Sequence, residues 1–163
     1  MWRLPVALTR FFSPEDRAVL DAVFATLLPG DPSAHIPGAA EAGASELVAR
    51  LLTLDESTYF EIPEWRRLYG AGIPALSRAA TARYGKPFGA LADDERIQIL
   101  EALSRAALGG FPERFAQKKF FALLRSHCIE GCFADPRWGG NQNGVMWRYI
   151  GYLADPESGG GSR

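Results

Sequence analysis

The chain has 163 residues, 47% of them hydrophobic and 23% charged, and a formal net charge of −1. That length suits one domain with a core large enough to fold without disulfides or a metal. The near-neutral balance, with basic residues scattered beyond pairs such as Arg66-Arg67 and Lys118-Lys119, excludes an overall basic field for nucleic acid.

No run of about 20 apolar residues is present to span a membrane. The two cysteines, Cys128 and Cys132, make neither a disulfide framework nor a complete zinc set. The apolar stretch within Met1–Arg10 is too short for a secretory leader, and it holds no twin-arginine pair. The expected organisation is an N-terminal segment over 1–12, a helical domain over 13–153, and a flexible tail or appended linker over 154–163.

The first helix starts at Ser13-Pro14-Glu15-Asp16. Ser13 caps, Pro14 suits the first turn, and the two acids complement the positive end of the helix dipole. Leu20, Val23, Phe24, Leu27 and Leu28 recur at helical spacing and mark its buried face. Pro29-Gly30-Asp31-Pro32 stops it and opens a loop ending at Ile36-Pro37-Gly38. A second helix is predicted from near Ala39, strongest over Ala44–Leu54, with Leu47, Val48, Leu51 and Leu52 inward and Gly43 weakening its first half.

A third helical region spans Pro63 to Gly85 and carries Trp65, Leu68, Tyr69, Ile73, Leu76 and Tyr84, with Pro74 kinking or dividing it. Lys86-Pro87-Phe88-Gly89 reads as a turn. Ala92-Asp93-Asp94-Glu95 opens a fourth helix with Ile97, Leu100, Leu103 and Ala107 at helical spacing, ended by Gly109-Gly110. A long helix follows from about Pro112 to Ile129, with Phe120, Leu123 and Leu124 inward. No alternating strand appears. The fold class is therefore all-α: one domain of five or six helices.

After Glu130 the texture changes to a long glycine-rich, aromatic-bearing loop, Gly131–Gly144, and then Val145–Tyr152, read as a short helix. Loops of this length in compact domains tend to be functional. Asp135 before Pro136 suits an Asx-turn, a polar anchor for a partner, or both. Gly139 and Gly140 suit positive φ angles in a tight turn. Trp138, between Arg137 and two glycines, is the best interface candidate among Trp65, Trp138, Trp147, Tyr149 and Tyr152. His127 and Cys128 share a helix face with Phe120, Leu123 and Leu124, and Cys132 stacks one turn on. Two readings stay open for them: buried, inert thiols, or a small metal site built from His127, Cys128 and Cys132.

The run Ile129-Glu130-Gly131, then Asp135-Pro136, Gly139-Gly140-Asn141 and Trp147, resembles the end of the gluconate 2-dehydrogenase subunit 3 family. In that family an aromatic, more often tyrosine than the Trp138 found here, precedes glycine-glycine-asparagine. Leu28-Pro29-Gly30-Asp31 and Ile36-Pro37-Gly38-Ala39 resemble its N-terminal features, so the likeness runs from about Phe12 to Tyr152.

What the resemblance implies is a non-catalytic small subunit beside a large FAD-binding dehydrogenase of the glucose-methanol-choline type, acting on a sugar or sugar acid. A cytochrome c often takes the electrons. Such subunits help the large one fold, assemble or leave the cell. No cofactor is expected on this chain, because it has no strand followed by G-x-G-x-x-G, and FAD is expected on the partner. The expected compartment is the periplasm if a leader has been removed, and otherwise the cytoplasm. The expected interface or structural-loop residues are Asp135, Pro136, Trp138, Gly139, Gly140, Asn141 and Trp147. The alternative is a helical adaptor, or the metal site above.

Overall fold

The computed structural model describes residues 10–153. Among these the fold is all-α. Its seven α-helices are α1 (Pro14–Leu27), α2 (Ala39–Ala42), α3 (Ser45–Leu51), α4 (Ile62–Tyr84), α5 (Asp93–Ser104), α6 (Gln117–Phe133) and α7 (Val145–Tyr149), with four short 3-10 turns between them. The only extended pairing described is one antiparallel bridge between Asp31 and Ile36.

Helix α1 begins as its sequence dictates: Ser13 Oγ accepts from the Asp16 amide at 3.0 Å. Gly43, with φ 57°, ends α2 and separates it from α3, so the second predicted helix is two, and this raises the count above five or six. Helix α4 runs undivided through Pro74. Ile73, Ala75 and Leu76 on either side of the proline are fully buried, so tertiary packing keeps the helix continuous there. Gln98 faces outward on α5 while Ile99, Leu100, Ala102 and Leu103 are buried, and Arg96 is half-buried, donating to the Phe88 and Gly89 carbonyls; Ile97 is 44% exposed and Ala107 lies outside the core. Phe88, read as part of a turn, is fully buried.

Helix α6 runs through the centre and touches each of the other six helices. Phe120, Leu124, Cys128 and Cys132 on its inner face meet Val23 and Phe24 of α1, Tyr69 and Ile73 of α4, and Leu103 of α5 in one hydrophobic core. Phe12 joins this core, edge-on to Tyr69 at 5.8 Å between ring centroids. Helix α6 also continues four residues past the predicted end at Ile129, so Gly131 and Cys132 are helical and the loop itself is shorter, Ala134–Gly144. The N-terminal leader question and the tail over 154–163 lie outside the described residues.

Candidate partner-binding loop

A helix end leaves its last carbonyls without intrahelical donors. At the C-terminus of α6 the following loop supplies them. The Ala134 amide bonds Glu130 O at 2.7 Å, the Asn141 amide bonds Gly131 O at 2.7 Å, and the Trp147 indole Nε1 donates to Phe133 O at 2.8 Å. Asn141 Nδ2 donates to Ala134 O at 3.1 Å, and its Oδ1 accepts from the Met146 amide at 2.9 Å, in the first turn of α7. One fully buried asparagine therefore caps the start of α7 and the end of α6 together. Its φ of 45° lies in the left-handed region, which asparagine tolerates better than most residues.

The two glycines before it have different reasons. Gly139 has φ 113°, where a side chain is strained. Gly140 is required by contact: a Cβ there would stand 2.0 Å from Gly131 O, and a Cβ on Gly131 would stand 2.2 Å from Ala44 O. Three backbones, from the α2–α3 junction, α6 and the loop, thus stack directly on one another. The expectation of a positive φ holds at Gly139 and fails at Gly140, where close approach is the cause.

Asp135 forms the expected turn, its Oδ1 accepting from the Arg137 amide at 3.0 Å at the head of Pro136–Trp138. Its other oxygen pairs with Arg137 Nε at 3.2 Å. Arg137 lies over the Trp138 ring, 5.4 Å from its centroid, and Trp138 is 56% exposed. Trp147 packs against Tyr152 at 5.0 Å between centroids. The structure therefore sorts the candidate residues by side. Gly139, Gly140 and Asn141 are buried, Trp147 and Pro136 are half-buried, and Trp138 faces outward. The sequence reading missed Gln142, whose side chain fills the notch at Gly43, and Arg50, which donates to Arg137 O at 3.3 Å. Both act across long sequence separations that no local pattern reports.

The segment 129–153 carries most of the exposed apolar bulk among the described residues. Of eleven large hydrophobic residues exposed among the described residues, seven fall between Ile129 and Leu153. Ile129 and Phe133 lie one turn apart on α6, Trp147 is bonded to the Phe133 carbonyl, and Tyr152 covers Trp147. Contiguous exposed apolar area is the material of which interaction faces are built.

The His127, Cys128 and Cys132 cluster lies inside. Tyr69 Oη is 3.0 Å from His127 Nδ1, and the imidazole is edge-on to Trp65 at 4.8 Å. Burial pushes the His127 pKa down to about 4 and the Tyr69 phenol well up, so the pair is neutral near pH 7. A hydrogen bond to Cys132, and then burial, raise the Cys128 thiol. Both cysteines are free and buried, and among the described residues no three His, Cys, Asp or Glu side chains converge on a possible metal position. The geometry does not assemble the metal site; His127 is committed to Tyr69.

Nor do the glycines fit a dinucleotide phosphate. The Gly139 amide is bonded to Pro136 O and the Asn141 amide to Gly131 O, while Glu46 and Arg50 crowd Gly139. Across this same stretch, and back to the start of α1, the profile of the gluconate 2-dehydrogenase subunit 3 family matches residues 14–153. The chain belongs to that family. No curated protein and no solved structure matches it. As a member of the family, the chain is a small subunit of a dehydrogenase complex, and none of its described helices is long and apolar enough to cross a membrane.

Proposed function

We propose that this subunit is non-catalytic and holds a large FAD-binding, glucose-methanol-choline-type dehydrogenase of sugars or sugar acids in its working assembly. The observation that carries this reading is the loop's division of labour. Asp135, Asn141 and the glycines are used up in fixing the backbone, and its one aromatic residue, Trp138, is left facing out. Trp138, with Ile129, Phe133, Trp147 and Tyr152, is the surface on which the large subunit docks. A permanent interface of this kind buries more than about 2,000 Å² of largely apolar surface. FAD and the reacting atoms belong to the large chain, and the small one contributes area, stability and support for assembly or export.

The test is a native-host purification of the tagged chain, read by its flavin absorbance near 450 nm. A yellow eluate containing a large second chain is expected. A colourless eluate with this chain alone would overturn the proposal.

A further inference from the structure

The buried pair Tyr69 and His127 serves neither the loop nor the docking face, and a line of aromatic rings joins it to the surface. Tyr69 Oη lies 3.0 Å from His127 Nδ1, its one hydrogen-bond partner among the described residues. The two rings are parallel within 4°, with centroids 5.8 Å apart. A neutral imidazole carries one ring proton, so with that proton on Nε2 the Nδ1 lone pair accepts from the phenol. Half-buried Trp65 stands edge-on to the imidazole at 4.8 Å, and Tyr59, 48% exposed, meets Trp65 at 6.2 Å. Helix α4 sets Trp65 and Tyr69 one turn apart on one face, and α6 brings His127 against both.

Aromatic rings in contact are ordinary core packing. What sets this line apart is the base at its inner end. A phenol that loses an electron becomes a strong acid, and in an apolar core no water is at hand to take its proton. Removing the electron is therefore costly unless an acceptor is already hydrogen-bonded to the oxygen. Tyr84 gives the contrast: its hydroxyl donates to the Gln98 amide oxygen at 3.0 Å, and a neutral amide has almost no affinity for a proton. Burial holds the His127 pKa at about 4, so the imidazole stays unprotonated and able to accept near pH 7. Burial also raises the Tyr69 pKa, so the proton stays on the phenol until an electron leaves. An oxidised phenol is acid enough to protonate even this weakened base.

We propose that Tyr69 and His127 form a proton-coupled redox pair, a trap for one-electron oxidising equivalents that pass inward from the surface through Trp65. The oxidant is a one-electron acceptor of the class of peroxide-derived radicals. It takes one electron from Trp65, and Trp65 is refilled by one electron from Tyr69. The Oη proton of Tyr69 moves to His127 Nδ1 along the existing hydrogen bond. The products are the reduced oxidant, a neutral Tyr69 phenoxyl radical and a His127 imidazolium. This activity belongs to the chain's own core and stands whether or not Trp138 docks a partner.

The experiment oxidises the full chain with tris(bipyridine)ruthenium(III), generated by a laser flash with a cobalt(III) ammine as the final electron acceptor. The radical is followed by transient absorbance and by high-field electron paramagnetic resonance. Wild type is expected to give a long-lived tyrosyl radical in one narrow, hydrogen-bonded population, and Tyr69→Phe at least tenfold less of it. His127→Gln, which keeps a hydrogen-bonding group but no base, is expected to lower the yield at least tenfold. Trp65→Phe is expected to slow the radical's appearance at least tenfold. Circular dichroism checks that each variant is folded. A long-lived radical that persists in Tyr69→Phe, or equal yields in wild type and His127→Gln, would overturn the pair. Where a variant does not fold, the wild-type spectrum decides, since no tyrosyl radical, or the broad distribution of a solvent-exposed phenoxyl such as Tyr149 or Tyr152 would give, overturns it as well.

Discussion

Replacing Asn141 with alanine tests the central role given to that side chain. Three effects add. The Met146 amide, buried, loses its only assigned acceptor, at about 1–3 kcal/mol. The bond to Ala134 O, partly open to solvent, is lost at about 1 kcal/mol. Alanine must also hold a φ of 45°, which disfavours it by about 1 kcal/mol. The total is roughly 3–5 kcal/mol, a large share of the 5–15 kcal/mol that stabilises a typical domain. Urea unfolding followed by tryptophan fluorescence and far-ultraviolet circular dichroism measures it. Asn141→Gly separates the effects, because it keeps the backbone angle and loses both side-chain bonds, so it should be less damaging than alanine by about 1 kcal/mol. A loss below about 1 kcal/mol in Asn141→Ala, or equal losses in the two variants, would refute the capping argument.

Gly140→Ala should destabilise by more than about 2 kcal/mol in the same assay, since its Cβ meets the Gly131 carbonyl, whereas Gly89→Ala, with open space around it, should stay within about 0.5 kcal/mol. Acid should weaken the fold through His127. Its folded pKa of about 4 lies below the ordinary 6.5, so the unfolded chain binds the proton first. The contribution is fully present above pH 6.5 and is lost as pH falls toward 4, by roughly 3 kcal/mol in all. Stability curves over that window should flatten in His127→Gln, while Asp31, Asp55 and Glu64, held low by hydrogen bonds from Ser33, Ser57 and Lys119, lose their contributions only as pH falls below their ordinary values of 3.8, 3.8 and 4.5. Trp138→Ala should change the unfolding midpoint of the isolated chain very little, because the ring is exposed, yet lower retention of the large subunit in the purified complex by at least tenfold.

How much of this was legible depends on how local each cause is. The start of α1 was, because Ser13, Pro14 and two acids lie within four residues of one another. The turn at Asp135 was legible for the same reason, its partner being two residues away. The family motif was visible as a pattern, but its job was not. Asn141 acts on Ala134 and Gly131 behind it and on Met146 ahead, and Gly140 is fixed by a backbone stack that includes Ala44. The buried face of α5 was misplaced by Ile97 because a short amphipathic helix admits more than one stripe, and only contact with α1 and α6 chooses among them. Pro74 misled in the other direction: local propensity divides the helix, and burial on both sides keeps it whole. His127 was placed on the correct face, yet its partner Tyr69 is 58 residues away, so the same residue pattern also suggested a metal.

The same distinction explains why the outward aromatic side is easier to notice in the sequence than to interpret. An exposed tryptophan flanked by glycines can be noticed in a sequence, but its rigidity cannot. In the structure Trp138 sits on a turn closed by Asp135, braced by Arg50 through the Arg137 carbonyl and anchored one step later by the buried Gly139–Asn141 run. A side chain on such a base has already given up most of the freedom that binding would otherwise remove, so more of its buried area appears as affinity. The polar lock and the outward aromatics are therefore one device. In the proposed assembly the lock is expected to contribute to the partner's retention without touching the partner, and the aromatics to contribute to it without stabilising the isolated chain.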